Sequence, residues 1–281
     1  MKNIRQWVTT VVLVLIALEL LAIVSFLYGE IDASGNIAII KVEGPITDAQ
    51  KIVDGLIKFR ENDKVKAIVV RVESPGGAVG ASQEIHDEII KTKAIKPVIA
   101  SFGNTAASGG YYIGVACDHI VSTPGTVTGS IGVITEFFVV EEVLKKFDLK
   151  WEVIKSGANK DIGSPLKDLS DDQRKLMQDM IDDIYEQFVE AVASGRKLDL
   201  EKVKELADGR IYTGRQALSL GLVDEMGSLQ RAVEIAAQKS AILAKDVDTF
   251  YYPKEEKTFF QSITGQKTLL PKNFSVQYLL R

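Results

Sequence analysis

Three short runs of apolar, mostly β-branched residues recur along this chain: residues 37–42 (IAIIKV), 67–72 (AIVVRV) and 97–102 (PVIASF). A strand with one face in water alternates apolar and polar residues, whereas a strand buried on both faces reads as a continuous apolar run. Runs of the second kind need helices on both sides of the sheet. Helical stretches duly follow each run, near residues 48–60, 82–90 and 106–116. The alternation predicts an α/β fold with a mostly parallel sheet and covering helices. Further strands are expected at residues 119–122 and 151–154 (WEVI). From Ser170 the period changes. Ser170 with Gln173 three positions on is a capping box, reinforced by Asp171 and Asp172 in the first turn. Leu176, Met180, Ile184, Phe188 and Val192 then mark one long amphipathic helix ending near Gly195. Shorter helices are expected near residues 201–207 and 229–238. No linker or internal repeat interrupts residues 29–245, which read as one domain.

The first 28 residues form a separate unit. Lys2 and Arg5 precede an apolar run over residues 8–27 that holds one charge, Glu19, and is flanked by Trp7 and Tyr28. Twenty helical residues at ~1.5 Å each span the ~30 Å hydrocarbon core of a bilayer. Aromatics at both ends suit the two interfaces, and the basic end should stay in the cytoplasm. The competing reading is a cleaved signal peptide, but the run is long for one and no small-x-small cleavage site follows it. The expectation is a single-pass transmembrane helix in the cell membrane, with the rest of the chain extracytoplasmic. Residues 246–281 read as a C-terminal tail whose aromatic and basic composition fits partial packing, lipid contact or a neighbouring subunit.

Composition removes several classes. Apolar residues make up 46% and charged residues 26%, which excludes wholesale disorder. A net charge of −4 gives no global attraction to nucleic acid. The single cysteine, Cys117, excludes an intrachain disulfide and a Cys-ligated zinc site. With two histidines, His86 and His119, no HExxH and no evident carboxylate cluster, neither a metal nor another cofactor is expected.

The glycines mark where chemistry would sit, because ligands of open α/β sheets bind at the carboxyl ends of strands. The run ending at Val72 passes into Glu73-Ser74-Pro75-Gly76-Gly77, whose paired glycines allow a sharp turn and expose N–H groups. The next run passes into Ala106-Ala107-Ser108-Gly109-Gly110. Small neighbours leave room for a carbonyl at Ser108, and the N–H of Gly109 is placed to meet a developing oxyanion. By position alone, Ser108 could equally be a helix N-cap. A serine nucleophile needs a base. His86 falls mid-helix and His119 at a strand entry, which leaves a lysine. Lys155 and Lys160 lie in a Gly/Ser-rich loop, where surface charge is the ordinary reading.

Taken together, these residues resemble the signal peptide peptidase A (SppA) family, membrane-anchored serine proteases of the ClpP/crotonase superfamily, in its short single-module form. The likeness rests on Ser74-Pro75-Gly76-Gly77, Ala106 to Tyr112, Thr128-Gly129-Ser130-Ile131-Gly132-Val133, Lys155-Ser156-Gly157 with Lys160-Asp161, and Asp208 to Ala217. Five motifs in order are far more specific than any one of them. Glu73 departs from the family's more usual asparagine. The resemblance implies a ClpP/crotonase-like fold, Ser108 as nucleophile, Lys160 as general base, Ser130 orienting the lysine, and an oxyanion hole from the Gly77 and Gly109 amides. It also implies a homo-oligomer in which serine and lysine come from neighbouring subunits. A lysine base must be partly neutral near pH 7, far from the free value of ~10.4. Burial and a nearby Lys155 are expected to favour that, with Asp161 turned away. The implied substrates are extended apolar peptides, including cleaved signal peptides. The alternatives are a protease of stomatin-like membrane proteins, a CoA-thioester enzyme of the same superfamily, and a catalytically silent membrane scaffold.

Overall fold

The structure is a computed structural model that describes residues 35–253 and, ahead of them, helical positions 7, 10–14, 16 and 19. Most of the expected membrane span and nearly all of the expected tail fall outside the described residues. Among the described residues no helix is long and apolar enough to cross a membrane.

The three apolar runs are the central strands β1 (Ile37–Glu43), β2 (Ala67–Ser74) and β3 (Val98–Ala107). Helices α1 (Gln50–Glu61) and α2 (Val79–Lys93) connect them, and α3 (Gly109–Val115) leads on to β4 (His119–Ser122). After β5 (Val127–Gly129) come α4 (Glu141–Lys146), α5 (Asp171–Arg196), α6 (Leu200–Leu206), β6 (Ile211–Thr213), α7 (Gly214–Ser219), β7 (Glu225–Met226), α8 (Leu229–Lys239) and β8 (Thr249–Tyr252). The sheet order is β6-β5-β3-β2-β1-β8, with β4 between β3 and β7. Every pair is parallel except β5 with β6.

Both faces are buried, as continuous apolar strands require. On one face Ile37, Ile39, Val69, Ile99 and Val121 pack against Ala232, Val233 and Ala236 of α8. On the other, Ala38, Ile40, Val70, Val72 and Phe102 meet Leu56 and Phe59 of α1, Ile85 and Ile89 of α2 and Ile113 of α3.

The long strand β3 is shared. Its first half pairs with β4 up to Phe102, and its second half, from Thr105, pairs with β5. Where the neighbours diverge, Thr126 Oγ1 donates to Gly103 O and Thr128 Oγ1 to Ala106 O, both at 2.6 Å. Buried side-chain hydroxyls thus satisfy carbonyls at the split. The helix expected from residue 106 starts instead at Gly109, because residues 105–107 are held in the ladder with β5.

Three further differences have simple causes. Strands β5, β6 and β7 have three, three and two residues, too short to show a period. Residues 151–154 have strand-like composition but form no strand, and among the described residues no strand pairs with them. Trp151 is 67% and Ile154 96% exposed. The stretch after Val247, read from sequence as tail, supplies edge strand β8, whose Phe250 packs edge-on against Phe59 at 5.1 Å.

The capping box of α5 is present in both halves: Ser170 accepts from Gln173 N while the Gln173 side chain accepts from the Ser170 N–H. The helix buries Phe188, Val189 and Val192 but leaves Leu176 and Met180 exposed. Its amphipathic stripe is therefore longer than the part that the described residues cover.

Candidate active site

At the end of β3 the backbone turns sharply. Ser108 adopts φ 52°, ψ −122°, outside the regions an L-residue populates freely. Hydrogen bonds on both sides hold it there: Ser108 N donates to Gly129 O, and Ser108 O accepts from Tyr112 N, each at 2.9 Å. Ser108 occupies the N-cap position of α3, yet its side chain makes no capping hydrogen bond. The N-cap alternative therefore fails, and the hydroxyl instead lines a cavity. A strained strand-to-helix turn presenting a serine is the geometry of a nucleophile elbow.

The end of β2 is built against this turn. Ser74 Oγ accepts from Gly76 N at 3.1 Å, and Gly76 has φ 103°. Ile46 N donates to Gly76 O, and Ala78 N to Ile46 O, fixing the loop from its other side. A Cβ on Gly76 would stand 2.7 Å from Gly109 N and 2.8 Å from Ser108 Cβ; one on Gly77 would stand 2.1 Å from Ile46 O. The two strand ends can approach this closely only because neither glycine has a side chain. The Gly77 nitrogen lies 3.3 Å from where a Cβ on Gly109 would be. Two amides from different loops thus converge beside Ser108. Among the described residues, neither donates to a backbone carbonyl elsewhere in the fold.

The cavity has a volume of about 640 Å³. Ser108, Gly109, Gly77 and Ser130 line one side, and Val79, Tyr112, Ile181, Ile184, Tyr185 and Phe188 form apolar walls from α2, α3 and α5. Ser130 follows β5 with φ 50°, and its N–H donates to Arg210 O at 2.8 Å, so the β5–β6 pair positions it. Asp208 stands at the rim, where the Arg210 guanidinium brings its carboxyl down to about 2. It is ionised near neutrality and cannot exchange protons there.

Lys160 is placed apart from these residues. It is exposed in the loop after residue 154 and does not line the cavity. Asp161 is ion-paired with Lys155 at 2.8 Å and Lys167 at 3.0 Å, in keeping with its expected turn away from Lys160. Lys155, expected to repel Lys160, is itself bound to Asp161 and to Ala158 O. Carboxylate capture removes it as an uncompensated like charge. His86 is packed on the Tyr112 ring at 4.7 Å, and burial pushes its pKa down. His119 lies near Asp224 and Glu225. Neither histidine lines the cavity.

Sequence reasoning did not foresee the α5 walls. Ile181, Ile184, Tyr185 and Phe188 belong to a visible apolar stripe, but periodicity does not distinguish core from cavity lining. The departure at Glu73 is accommodated locally: its carboxylate pairs with Arg71 and accepts from Asn104 N at 2.7 Å.

Comparison with known proteins follows the same lines. The profile of peptidase family S49 matches residues 90–243, and that of Clp protease matches residues 28–126. A Synechocystis sp. protein named as a protease, slr0021, is 46% identical over 222 residues, covering 78% of this chain and 80% of that one. An Enterococcus faecium protein named signal peptide peptidase SppA is 39% identical over 219 residues, covering 78% of this chain and 63% of its own length. Protease 4 of Salmonella typhi is 36% identical over 255 residues, 86% of this chain but 41% of that protein. The chain thus spans less than two thirds of the last two. Among solved structures, a mutant of the membrane-bound stomatin-specific protease 1510-N superposes with a TM-score of 0.52 at 17% identity, over 77% of this chain and 97% of the other, which establishes a shared fold.

Proposed function

The chain belongs to peptidase family S49, serine proteases of the SppA type, and on that premise we propose that it is a membrane-anchored endopeptidase working through a Ser108/Lys160 dyad. The observation that carries the reading is the strained Ser108 turn with the Gly77 and Gly109 amides beside it, lining one side of an apolar cavity.

In this mechanism Ser108 Oγ attacks the peptide carbonyl while the neutral Lys160 amine takes its proton. The carbonyl oxygen becomes an oxyanion that accepts from the Gly77 and Gly109 N–H groups. The C–N bond then breaks, the lysine returns the proton to the leaving amine, and an acyl ester remains on Ser108. Water, deprotonated by Lys160, attacks the ester and releases the acid and the free serine. Ser130, beside the nucleophile, orients the lysine amine.

The exposed position of Lys160 supports a dyad completed between subunits of a homo-oligomer. A lysine outside its own chain's cavity reaches a serine where a repeated head-to-tail contact sets each loop beside the next subunit. Apolar walls from α2, α3 and α5 suit extended apolar peptides such as cleaved signal peptides, which would add as a strand beside residues 74–77. The apolar run of residues 8–27 supports a cell-membrane anchor with the catalytic domain extracytoplasmic.

Fluorophosphonate labelling tests the reading. The purified full chain should take up one label at Ser108, established by peptide mass, and the Ser108→Ala protein none. An unlabelled wild type that hydrolyses no apolar peptide would mark a silent scaffold instead.

A further inference from the structure

The loop bearing Lys160 has no regular secondary structure, yet it is tied down. Asp161 gathers three donors: Lys155 Nζ at 2.8 Å and Gln173 Nε2 at 3.3 Å on Oδ1, and Lys167 Nζ at 3.0 Å on Oδ2. The Asp161 side chain is only 12% exposed. Lys155 Nζ also donates to Ala158 O at 2.7 Å, and Gln173 Nε2 to the same carbonyl at 3.3 Å. Gln173 is in turn part of the α5 capping box. One carboxylate therefore joins the residues before Lys160, the segment after it and the first turn of α5.

Building on the proposed dyad, we propose that Asp161 is a positioning residue for Lys160: clamped and neutralised by Lys155 and Lys167, it anchors the lysine loop to α5 without holding the base in its charged form. A free carboxylate beside a lysine favours the ammonium. Two ammonium groups already on that carboxylate cancel most of this effect. The anchoring also removes loop freedom that would otherwise be lost each time the base is aligned. The charged groups facing Asp161 are Lys155, from its own loop, and Lys167, from the segment leading to α5; α5 contributes the neutral Gln173. The two ammonium groups hold the Asp161 carboxyl well below the usual carboxylate range. Since its folded pKa is depressed, the clamp is intact above the ordinary carboxylate value and weakens only as pH falls further. It is therefore constant wherever a lysine base titrates.

The test is kcat and KM against pH for the full-length protein on a quenched apolar peptide, comparing wild type with Asp161→Asn, Asp161→Glu and Lys155→Met. Activity should rise with pH along a limb set by the base. Asp161→Asn leaves two cations uncompensated, so its limb should move down by about half a pH unit or more. Its kcat should fall about tenfold, with KM within about twofold, as expected for lost alignment rather than lost binding. Lys155→Met strips a cation from the carboxylate and should move the limb the opposite way. Asp161→Glu keeps the charge and should recover part of the lost kcat. Limbs that stay put, or move the same way in both variants, with kcat losses that follow losses in melting temperature, would reduce Asp161 to a structural residue and overturn the proposal. Failure of the dyad itself is a different result, Lys160→Ala with wild-type turnover.

Discussion

The strand-end loops around Ser108 and the connection from residue 131 to 168 follow one another in sequence, yet they are held in opposite ways. Around Ser108 the fold supplies every constraint: Ser74, Gly109, Gly110 and Ala106 are buried, and backbone groups from Ile46, Gly129 and Arg210 close on the loops. The connection holds the proposed base but offers much of its apolar surface to solvent, with Ile134 83% and Phe138 80% exposed alongside Trp151 and Ile154. Exposed apolar residues of this kind fit the proposal of a neighbouring subunit beside this connection. The contrast teaches that the proposed nucleophile and oxyanion hole are built within one chain, while the proposed base stands outside the cavity, as the shared-site reading requires.

The sharpest way to break the comparison is at the serine half. Ser108→Ala removes only the attacking oxygen, so turnover should fall by about 10⁴-fold or more with circular dichroism unchanged. Substantial hydrolysis by a clean preparation would take the role from Ser108. At the other half, Lys160→Ala should be comparably inactive at neutral pH, while Lys155→Ala stays within about tenfold of wild type, as removal of a clamp cation from a working base allows. The reverse pattern would transfer the role to Lys155.

A third substitution probes the convergence of the two loops. Gly77→Ala places a methyl on Ile46 O, displacing one oxyanion donor, and should lower kcat about 10²–10³-fold. An unaltered kcat would show that the Gly77 amide is not used. Mixing Ser108→Ala with Lys160→Ala protein under subunit exchange addresses the split directly. At equal amounts, about one neighbouring pair in four joins an intact serine to an intact lysine in a head-to-tail ring, so about a quarter of the activity should return. No recovery despite proven exchange would put both groups in the same chain. The smallest effect is expected at the exposed stretch: Ile154→Ser should shift the oligomer toward smaller species in sedimentation while leaving the melting temperature of the isolated subunit within about 2 °C, as a substitution far from the core should.

Much of the fold was legible because burial on both faces leaves a signature in single strands. IAIIKV, AIVVRV and PVIASF demanded helices above and below, and α1, α2, α3 and α8 provide them. The Ser170 cap was legible for a similar reason, since its two hydrogen bonds span three residues. At the site, the sequence pointed to Ser108 and the glycine pairs. It left the choice between N-cap and nucleophile open, because that choice depends on φ and on what the hydroxyl faces.

Other features depend on contacts between distant residues, which local pattern does not encode. WEVI has the composition of a strand, but a strand exists only beside a partner. Residues 249–252 look like tail, yet they complete the sheet because β1 has a free edge and Phe59 a free face. The branching of β3 between β4 and β5, the meeting of Gly76 with Gly109, and the α5 walls of the cavity all join segments far apart in the chain. Sequence by itself determined the layers of this protein, the serine between a strand and a helix, and the small residues that let the loops close. The tertiary structure alone decided which amides face that serine, and that Lys160 stands outside the cavity it is proposed to serve, because side-chain placement across a fold is set by packing rather than by order along the chain.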